Sequence, residues 1–474
     1  MSDTMIWQLS ATELARAIAD KQISALEAVQ STVDRMHAVN PRLNAVVDDL
    51  SEQAITMARA HDEQLRSRGP IGPLHGVPVT IKENIDQQGR ATPNGVTAFK
   101  DVIAPANSPV VNTLERAGAI IIGRTNTPEF SFRGTTVNEL HGRTLNPWND
   151  WASSGGSSGG ASTAVMAGMG PISHGNDIAG SLRYPAAATG AASVKPGLGR
   201  TPAYNPSAGV ERGLVAQLMS VQGVICREIR DVRLAMQSLV EYDPHDPWQV
   251  PMPFQGPTHE GPVTVAFTRN SLGFAIDPAV NLALDTARDA LLDAGYEVVE
   301  AEPPMTEALA SDGLRVLFGE VKVLMLKDIR THGSDTINSI FDHYFEYFPP
   351  FEGDELLLGM ARRSRYVREW LLFLQKYPLV LSPFLLKPTY EWDRDAQGMA
   401  GMTDVIGSAF WSYGMNFLGL PAGSIAANYN NGLPVSIQVI GQRFREDMIL
   451  DACEAIEQRV GVMAHRLFAR ESAQ

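Results

Sequence analysis

Two glycine-flanked serines and one lysine are the residues best suited to chemistry. Ser157 lies in G-G-S-S-G-G (155–160) and Ser181 in D-I-A-G-S-L-R-Y-P (177–185), 24 positions further on. Lys82 ends the apolar run V-P-V-T-I-K (77–82). A serine hydroxyl becomes a nucleophile when a base takes its proton, and a lysine is such a base only as the neutral amine. For Lys82 to be neutral near pH 7–8, its pKa must fall from about 10.4, which is about 3–4 kcal/mol of desolvation. A buried strand end can impose that. A solvated strand terminus is the plainer reading of the same lysine. One candidate chemistry is therefore a serine activated by lysine through a second serine.

Other chemistries fit less well. Gly155-Gly156-Ser157-Ser158-Gly159 satisfies G-x-S-x-G, the strained turn that presents a hydrolase serine. The base would then be His245, His259, His332, His343 or His465, and none of these lies in a distinctive motif. A phosphate-cradling loop needs lysine after its last glycine, but Gly160 is followed by Ala161. The ten histidines are scattered without metal-ligand spacing, so neither a metal nor another cofactor is expected. A flexible linker is the bland reading of Ser153–Pro196. Against it, A-S-T-A-V-M-A-G-M-G and L-R-Y-P-A-A-A are apolar and helix-forming.

Strands alternating with helices must position these residues. Ser10 with Glu13 and Ser24 with Glu27 are capping boxes, opening two amphipathic helices that end near Asn40-Pro41, and a further helix spans 51–66. Val77 to Ile81 read as a buried strand. Ser108-Pro109 opens a helix closed by Gly118, before the strand A-I-I-I-G. A small-residue helix follows Gly159, then a strand over 171–175, a turn over 176–180 and a helix starting at Ser181. V-T-V-A-F (263–267), a helix from Asp277-Pro278 to Gly295, and Y-E-V-V-E repeat the unit. The rhythm predicts an α/β fold: a large mixed, mostly parallel twisted sheet with helices on both faces.

Residues 303–376 break that rhythm. They are helical and aromatic, with Phe341, Tyr344, Phe345, Tyr347, Phe348 and Phe351 at spacings that fit core as well as ligand wall. Y-P-L-V-L-S-P, G-L-P-A-G-S-I-A-A and G-L-P-V-S-I-Q-V-I-G supply further strands, and a helix over 447–460 closes the chain. No polar linker marks a boundary, so residues 1–474 read as one domain with 303–376 as a helical, substrate-side excursion.

A formal net charge of −14 argues against nucleic-acid or anionic-membrane binding. Two distant cysteines, Cys226 and Cys453, give no disulfide framework. With no signal-like start and no run of about 18 apolar residues, the expected location is the cytoplasm and the expected partner a small molecule.

The motifs P-L-H-G-V-P-V-T-I-K-E-N, G-x-T-N-T-P-E-F, G-G-S-S-G-G-A-S and G-N-D-I-A-G-S-L-R-Y-P-A-A-A-T-G resemble, in order and spacing, those of the amidase signature family. The match runs from the N-terminal helices to the final helix. It implies that Ser181 is the nucleophile, Ser157 a bridging serine after a cis peptide bond, and Lys82 the ultimate base. The backbone N–H groups of Ile178, Ala179, Gly180 and Ser181 would receive the oxyanion. Ser158 would hydrogen-bond Lys82. Asp177 and Arg183 would brace the turn, although an ordinary surface ion pair fits that spacing equally well. Ala179 stands where the family commonly has glycine, and Ser436 where glycine is usual. The G-N-D-x-A-G-S form resembles a branch with cyclic amide-oligomer hydrolases and urethane-cleaving relatives. The implied activity is hydrolysis of carboxamide C–N bonds, with aryl amides, esters or carbamates as further substrates. A glutaminase-type subunit of a tRNA-dependent amidotransferase and an inactive binding module are the alternatives. Many relatives are dimers, so a homodimer is the assembly that the resemblance suggests.

Overall fold

Short strands with apolar residues on both faces build one eleven-stranded sheet. In chain order these are β1 (Val46–Asp49), β2 (Pro78–Lys82), β3 (Ile120–Thr125), β4 (Ile172–Asp177), β5 (Ala192–Lys195), β6 (Val221–Cys226), β7 (Thr264–Phe267), β8 (Glu297–Glu300), β9 (Leu379–Pro383), β10 (Ala422–Asn430) and β11 (Leu433–Gly441). The computed structural model describes residues 5–472, so the outermost residues of the expected 1–474 domain lie outside the described ones. Across the sheet the order is β1-β3-β2-β4-β6-β5-β10-β11-β9-β7-β8.

The sheet is mixed, as expected, and its parallel pairing falls in two blocks. One joins β3, β2 and β4, and the other joins β9, β7 and β8. Between them β6, β5, β10 and β11 pair antiparallel, and β1 adds an antiparallel edge. Six of the ten neighbouring pairs are thus antiparallel, so the mixed character is stronger than the β/α rhythm conveys. Helices after β5 and β6 do not return the chain as crossovers to a parallel neighbour, and β10 turns directly into β11 as an antiparallel hairpin; the local pattern cannot register either.

Successive side chains of a strand point to opposite faces, and here each face feeds its own core. In β9, Leu379 and Leu381 pack with the helices 229–239, 278–293 and 446–460, while Val380 packs with the helices of 306–376 and 398–418. In β7, Val265 and Phe267 likewise face one core and Ala266 the other. The two capping boxes are present at Ser10/Glu13 and Ser24/Glu27. The second of these helices runs past the expected Asn40-Pro41 end to Leu43. Asn44 takes a left-handed φ of 50°, and its N–H closes on the Asn40 carbonyl at 2.8 Å. No helix of the described residues is long and apolar enough to cross a membrane.

The excursion is helical throughout, with helices Thr306–Leu324, Leu326–His332, Asp335–Tyr347 and Asp354–Lys376. Two carboxylates tie it to the rest of the chain. Glu129 accepts the Ser334 N–H at 2.9 Å and its hydroxyl at 2.5 Å, at the start of the third helix. Glu320 accepts the Val215 and Ala216 N–H groups at 2.7 and 2.8 Å, capping the short helix Leu214–Met219. Of the aromatic stripe, Phe341, Phe348 and Phe351 are core.

Candidate active site

Parallel pairing of β2 with β4 sets Val79 beside Ile172 and Thr80 beside Ser173. The carboxyl end of β2 therefore delivers Lys82 to the last residues of β4. Sites in such sheets form beyond the carboxyl ends of parallel strands. The Lys82 ammonium is fully buried and donates to Ser157 Oγ at 2.7 Å and to Asn176 Oδ1 at 2.9 Å. Both partners are neutral. Burial pulls its pKa down to about 7, although Asp177 and Glu83 oppose the fall. The lysine is desolvated, not a solvated strand terminus.

Ser157 follows a cis peptide bond to Gly156, as the resemblance implies. A side chain at Gly156 would put its Cβ 2.2 Å from the Arg133 carbonyl oxygen, so only glycine lets this backbone pass. Ser181 follows β4 by one short turn. Ser157 and Ser181 line one cavity of about 480 Å³ together with Asn84 and Asn176. Ser181 also lines a smaller cavity of about 80 Å³, with Gly156, Ala179 and Gly180. The three sequence-derived residues thus converge: the lysine on the first serine, and the two serines on one wall.

Asp177 and Arg183 are a buried brace rather than a surface pair. Both side chains are wholly inaccessible, with Arg183 Nε 3.1 Å from Asp177 Oδ2. Burial alone would raise the Asp177 pKa, but Arg183 holds it at about 2. The carboxylate accepts the Gly180 N–H at 2.7 Å and the Leu182 N–H at 3.1 Å. Arg183 also donates to Gln438 Oε1 at 2.7 Å, Asn416 Oδ1 at 2.6 Å and the Ser412 carbonyl at 3.1 Å. Ser412 Oγ donates to the Ala179 carbonyl at 2.7 Å. At Gly180, φ is +122°, and a Cβ there would sit 2.9 Å from Ser412 Oγ.

Two expectations need correction. The Gly180 N–H is committed to Asp177, because the brace turns that peptide inward. Among the expected oxyanion donors, the N–H groups of Ile178, Ala179 and Ser181 have no backbone acceptor among the described residues. Ser158 does not hydrogen-bond Lys82. Its hydroxyl reaches the Asn176 carbonyl at 3.5 Å, beneath β4, and the lysine's second partner is the Asn176 side chain.

Sequence reasoning misses Asn176 because β4 continues through Asp177, whereas the motif reads as a turn from 176 onward. Its amide donates to Asn84 Oδ1 at 2.9 Å, and Asn84 donates to Ser131 Oγ at 3.0 Å. The G-N-D and K-E-N triplets hold that signal. Ser412, Asn416 and Gln438 lie more than 200 residues from Arg183 and carry no local signal. Ser436, the other departure from the family pattern, reaches the Ala187 carbonyl at 3.4 Å and backs the helix that follows Ser181.

Residues 27–450 match the family model described as Amidase, and the chain belongs to that family. It is 45% identical to an indoleacetamide hydrolase of Bradyrhizobium diazoefficiens, over 98% of this chain and 88% of that protein. A glutamyl-tRNA(Gln) amidotransferase subunit from Moorella thermoacetica is 30% identical, over 96% and 97% of the two chains. Among solved structures, 6-aminohexanoate cyclic dimer hydrolase superposes with a TM-score of 0.82 at 25% identity, covering 97% of this chain and 98% of that one. The chain is an amidohydrolase that cleaves carboxamide C–N bonds.

Proposed function

We propose that Ser181 is the nucleophile, with Ser157 and Lys82 as its proton relay. The carrying observation is the 2.7 Å contact between a fully buried Lys82 amine and Ser157 Oγ, with a lysine pKa of about 7. The neutral amine takes the Ser157 proton as Ser157 takes that of Ser181. Ser181 Oγ bonds to the substrate carbonyl carbon, and the carbonyl electrons move onto oxygen. The N–H groups of Ile178, Ala179 and Ser181 are the donors offered to that oxyanion, and losing one such donor typically costs about 100–1000-fold. Ser157 then gives its proton to the amide nitrogen and is reprotonated from Lys82. The C–N bond breaks and the amine leaves. Water, deprotonated through the same relay, attacks the acyl-enzyme and releases the acid with Ser181 restored. Residues 303–376 serve in this reading as a substrate-side wall of one domain, because Leu314, Leu317, Phe318 and Tyr344 line the smaller cavity.

The substrate we infer is a primary amide with an aryl-bearing acyl group, the class to which indoleacetamide belongs. Phe132, Tyr184, Phe318 and Tyr413 line the smaller cavity beside Ser181 and suit an aromatic ring. That lining does not match the polar end of glutamine, so the glutaminase reading rests on distant likeness alone. All three relay residues are present, so the inactive-module reading has no feature in its favour. The two cysteines are buried free thiols, in keeping with a reducing cytoplasm. A homodimer is the assembly implied by resemblance, and sedimentation of the purified chain checks it.

Replacing Ser181 by Ala is expected to abolish turnover of indoleacetamide and benzamide and labelling by a fluorophosphonate. Full activity in that variant overturns the assignment.

A further inference from the structure

The residue after Lys82 is a glutamate, and a carboxylate so near the lysine works against a neutral amine. An opposite charge within about 4–6 Å favours the cation. Glu83 is buried and stands one position beyond the end of β2. Consecutive side chains of an extended strand point to opposite faces. The amine therefore reaches Ser157 and Asn176 while the carboxylate turns the other way.

Two donors from elsewhere in the chain receive that carboxylate. Glu83 Oε1 accepts the Gly95 N–H at 2.9 Å, and Glu83 Oε2 lies 2.9 Å from His141 Nε2. An ionised carboxylate only accepts, so this ring nitrogen carries the proton. His141 sits in the turn of the short hairpin formed by Val137–Asn138 and Gly142–Arg143. Backbone bonds fix the turn: Asn138 Oδ1 accepts the His141 N–H at 2.6 Å, and Asn44 Nδ2 donates to the His141 carbonyl at 2.7 Å. Among the described residues the ring's one hydrogen bond is that to Glu83.

The other charges around the lysine are engaged. On β4, Asp177 is held by Arg183, and burial keeps His174 uncharged, its pKa pushed down to about 3. On β3, Arg124 donates to the carbonyls of Glu83, Ile85 and Ala91 and is faced in turn by Asp48, Asp86 and Arg90. Desolvation lowers the Lys82 pKa, and Asp177 and Glu83 pull against it. Of those two carboxylates, Glu83 is the one that relies on an imidazole.

Resting on the proposed relay, we infer that His141 is a positioning residue, which by donating to Glu83 keeps that carboxylate from stabilising the Lys82 cation. The imidazole touches neither serine and acts through the charge beside the base.

The test is kcat on benzamide against pH, since the midpoint of an acid limb does not depend on how much of a variant folds. His141→Phe removes the donor and leaves the backbone bonds of the turn. Its acid limb is expected to move up by about 1 in pH, with activity at neutral pH about tenfold lower and recovered in alkali. Glu83→Gln removes the charge and keeps an oxygen for the Gly95 N–H. Its limb is expected to move down by about 1 in pH. The double variant His141→Phe/Glu83→Gln is expected to lose the upward shift, which a merely structural role for the ring would not bring about. A limb that either single variant leaves in place overturns the inference while the relay stands, as does an upward shift that survives in the double variant. A wild-type enzyme with no acid limb near 7 removes the relay and the inference together.

Discussion

Lys82 and Arg183 are both buried without access to solvent, and they behave in opposite ways. Arg183 lies against the Asp177 carboxylate and adds three neutral acceptors, so its charge is balanced where it sits. Among the described residues Lys82 has only a hydroxyl and an amide oxygen as hydrogen-bond partners, and burial pulls its pKa to about 7. Burial is common to both; a guanidinium keeps its charge in proteins and here has a carboxylate in contact to balance it, whereas the Lys82 amine has neither. A third cation sharpens the point. Lys195 is equally buried, donates among the described residues only to the Pro196 carbonyl at 2.8 Å, and its pKa also falls to about 7 through desolvation, with Arg183 adding to the fall. It has no hydroxyl to deprotonate. In the proposed relay, what separates Lys82 from Lys195 is the serine placed beside it.

The largest effect expected from breaking the comparison is at Lys82 itself. A guanidinium does not deprotonate in proteins, so Lys82→Arg turns the relay cation into the permanent kind. Its kcat is expected to fall about 100–10,000-fold, the range of a lost general base. Steady-state rates on a folded variant, checked by circular dichroism, decide it, and near-wild-type kcat would remove Lys82 from the mechanism.

The converse change strips the brace. Asp177→Asn keeps the shape of the side chain and an oxygen for the Gly180 N–H, but leaves Arg183 buried without its counter-charge. Removing one partner of a buried pair costs about 3–5 kcal/mol. Urea unfolding is expected to show a loss of that order, and a loss below about 1 kcal/mol would mean that the neutral acceptors suffice.

Asn176→Asp makes Lys82 resemble Arg183, by placing a carboxylate where the amide oxygen now lies, 2.9 Å from the amine. An opposite charge at that range favours the cation and raises the pKa by about 1–3. In the proposed relay the neutral amine is the active form, so wild-type kcat is expected to rise with pH through about 7 and to be lost below it. The variant's acid limb is expected to move upward by about 1–3 in pH, with activity at neutral pH down by about 10–1000-fold and recovered in alkali. An acid limb that stays in place would show that another group controls it.

These residues are unequally legible before folding. Lys82, Ser157 and Ser181 sit in contiguous motifs whose glycines and apolar flanks announce a tight site, and those motifs come together. Asp177 and Arg183 are legible as neighbours but not as buried ones, because Asn416, Ser412 and Gln438 arrive from the far end of the chain. Asn176 reads as a turn residue, since nothing local shows that β4 runs two residues beyond Gly175. The sheet shows the same limit. Strand–helix alternation marks the blocks around β2 and β7, while the antiparallel middle depends on long-range pairing such as Ser424 with Ser193. The excursion's aromatics are ambiguous for a related reason. Helical spacing identifies a face, not what the face meets, and Phe341 meets core while Tyr344 meets the smaller cavity.

The smallest effect carries the comparison from charges to neutral groups. Tyr184 and Tyr390 pack at 5.3 Å between ring centres, both buried. The Tyr390 hydroxyl donates to the Gly134 carbonyl at 3.0 Å, whereas the Tyr184 hydroxyl is buried without a partner among the described residues. A buried polar group left unpaired costs about 1–3 kcal/mol, and a paired one contributes about 0.5–1.5 kcal/mol. The same Tyr→Phe change should therefore act in opposite directions at two touching rings. Tyr390→Phe is expected to lower the unfolding free energy by about 1 kcal/mol, and Tyr184→Phe to leave it unchanged or raise it by up to about 1 kcal/mol. Thermal or urea unfolding of the two variants side by side reads the sign. Equal losses at both would mean that the Tyr184 hydroxyl is satisfied in solution, and that its unpaired state does not mark a difference between the two rings.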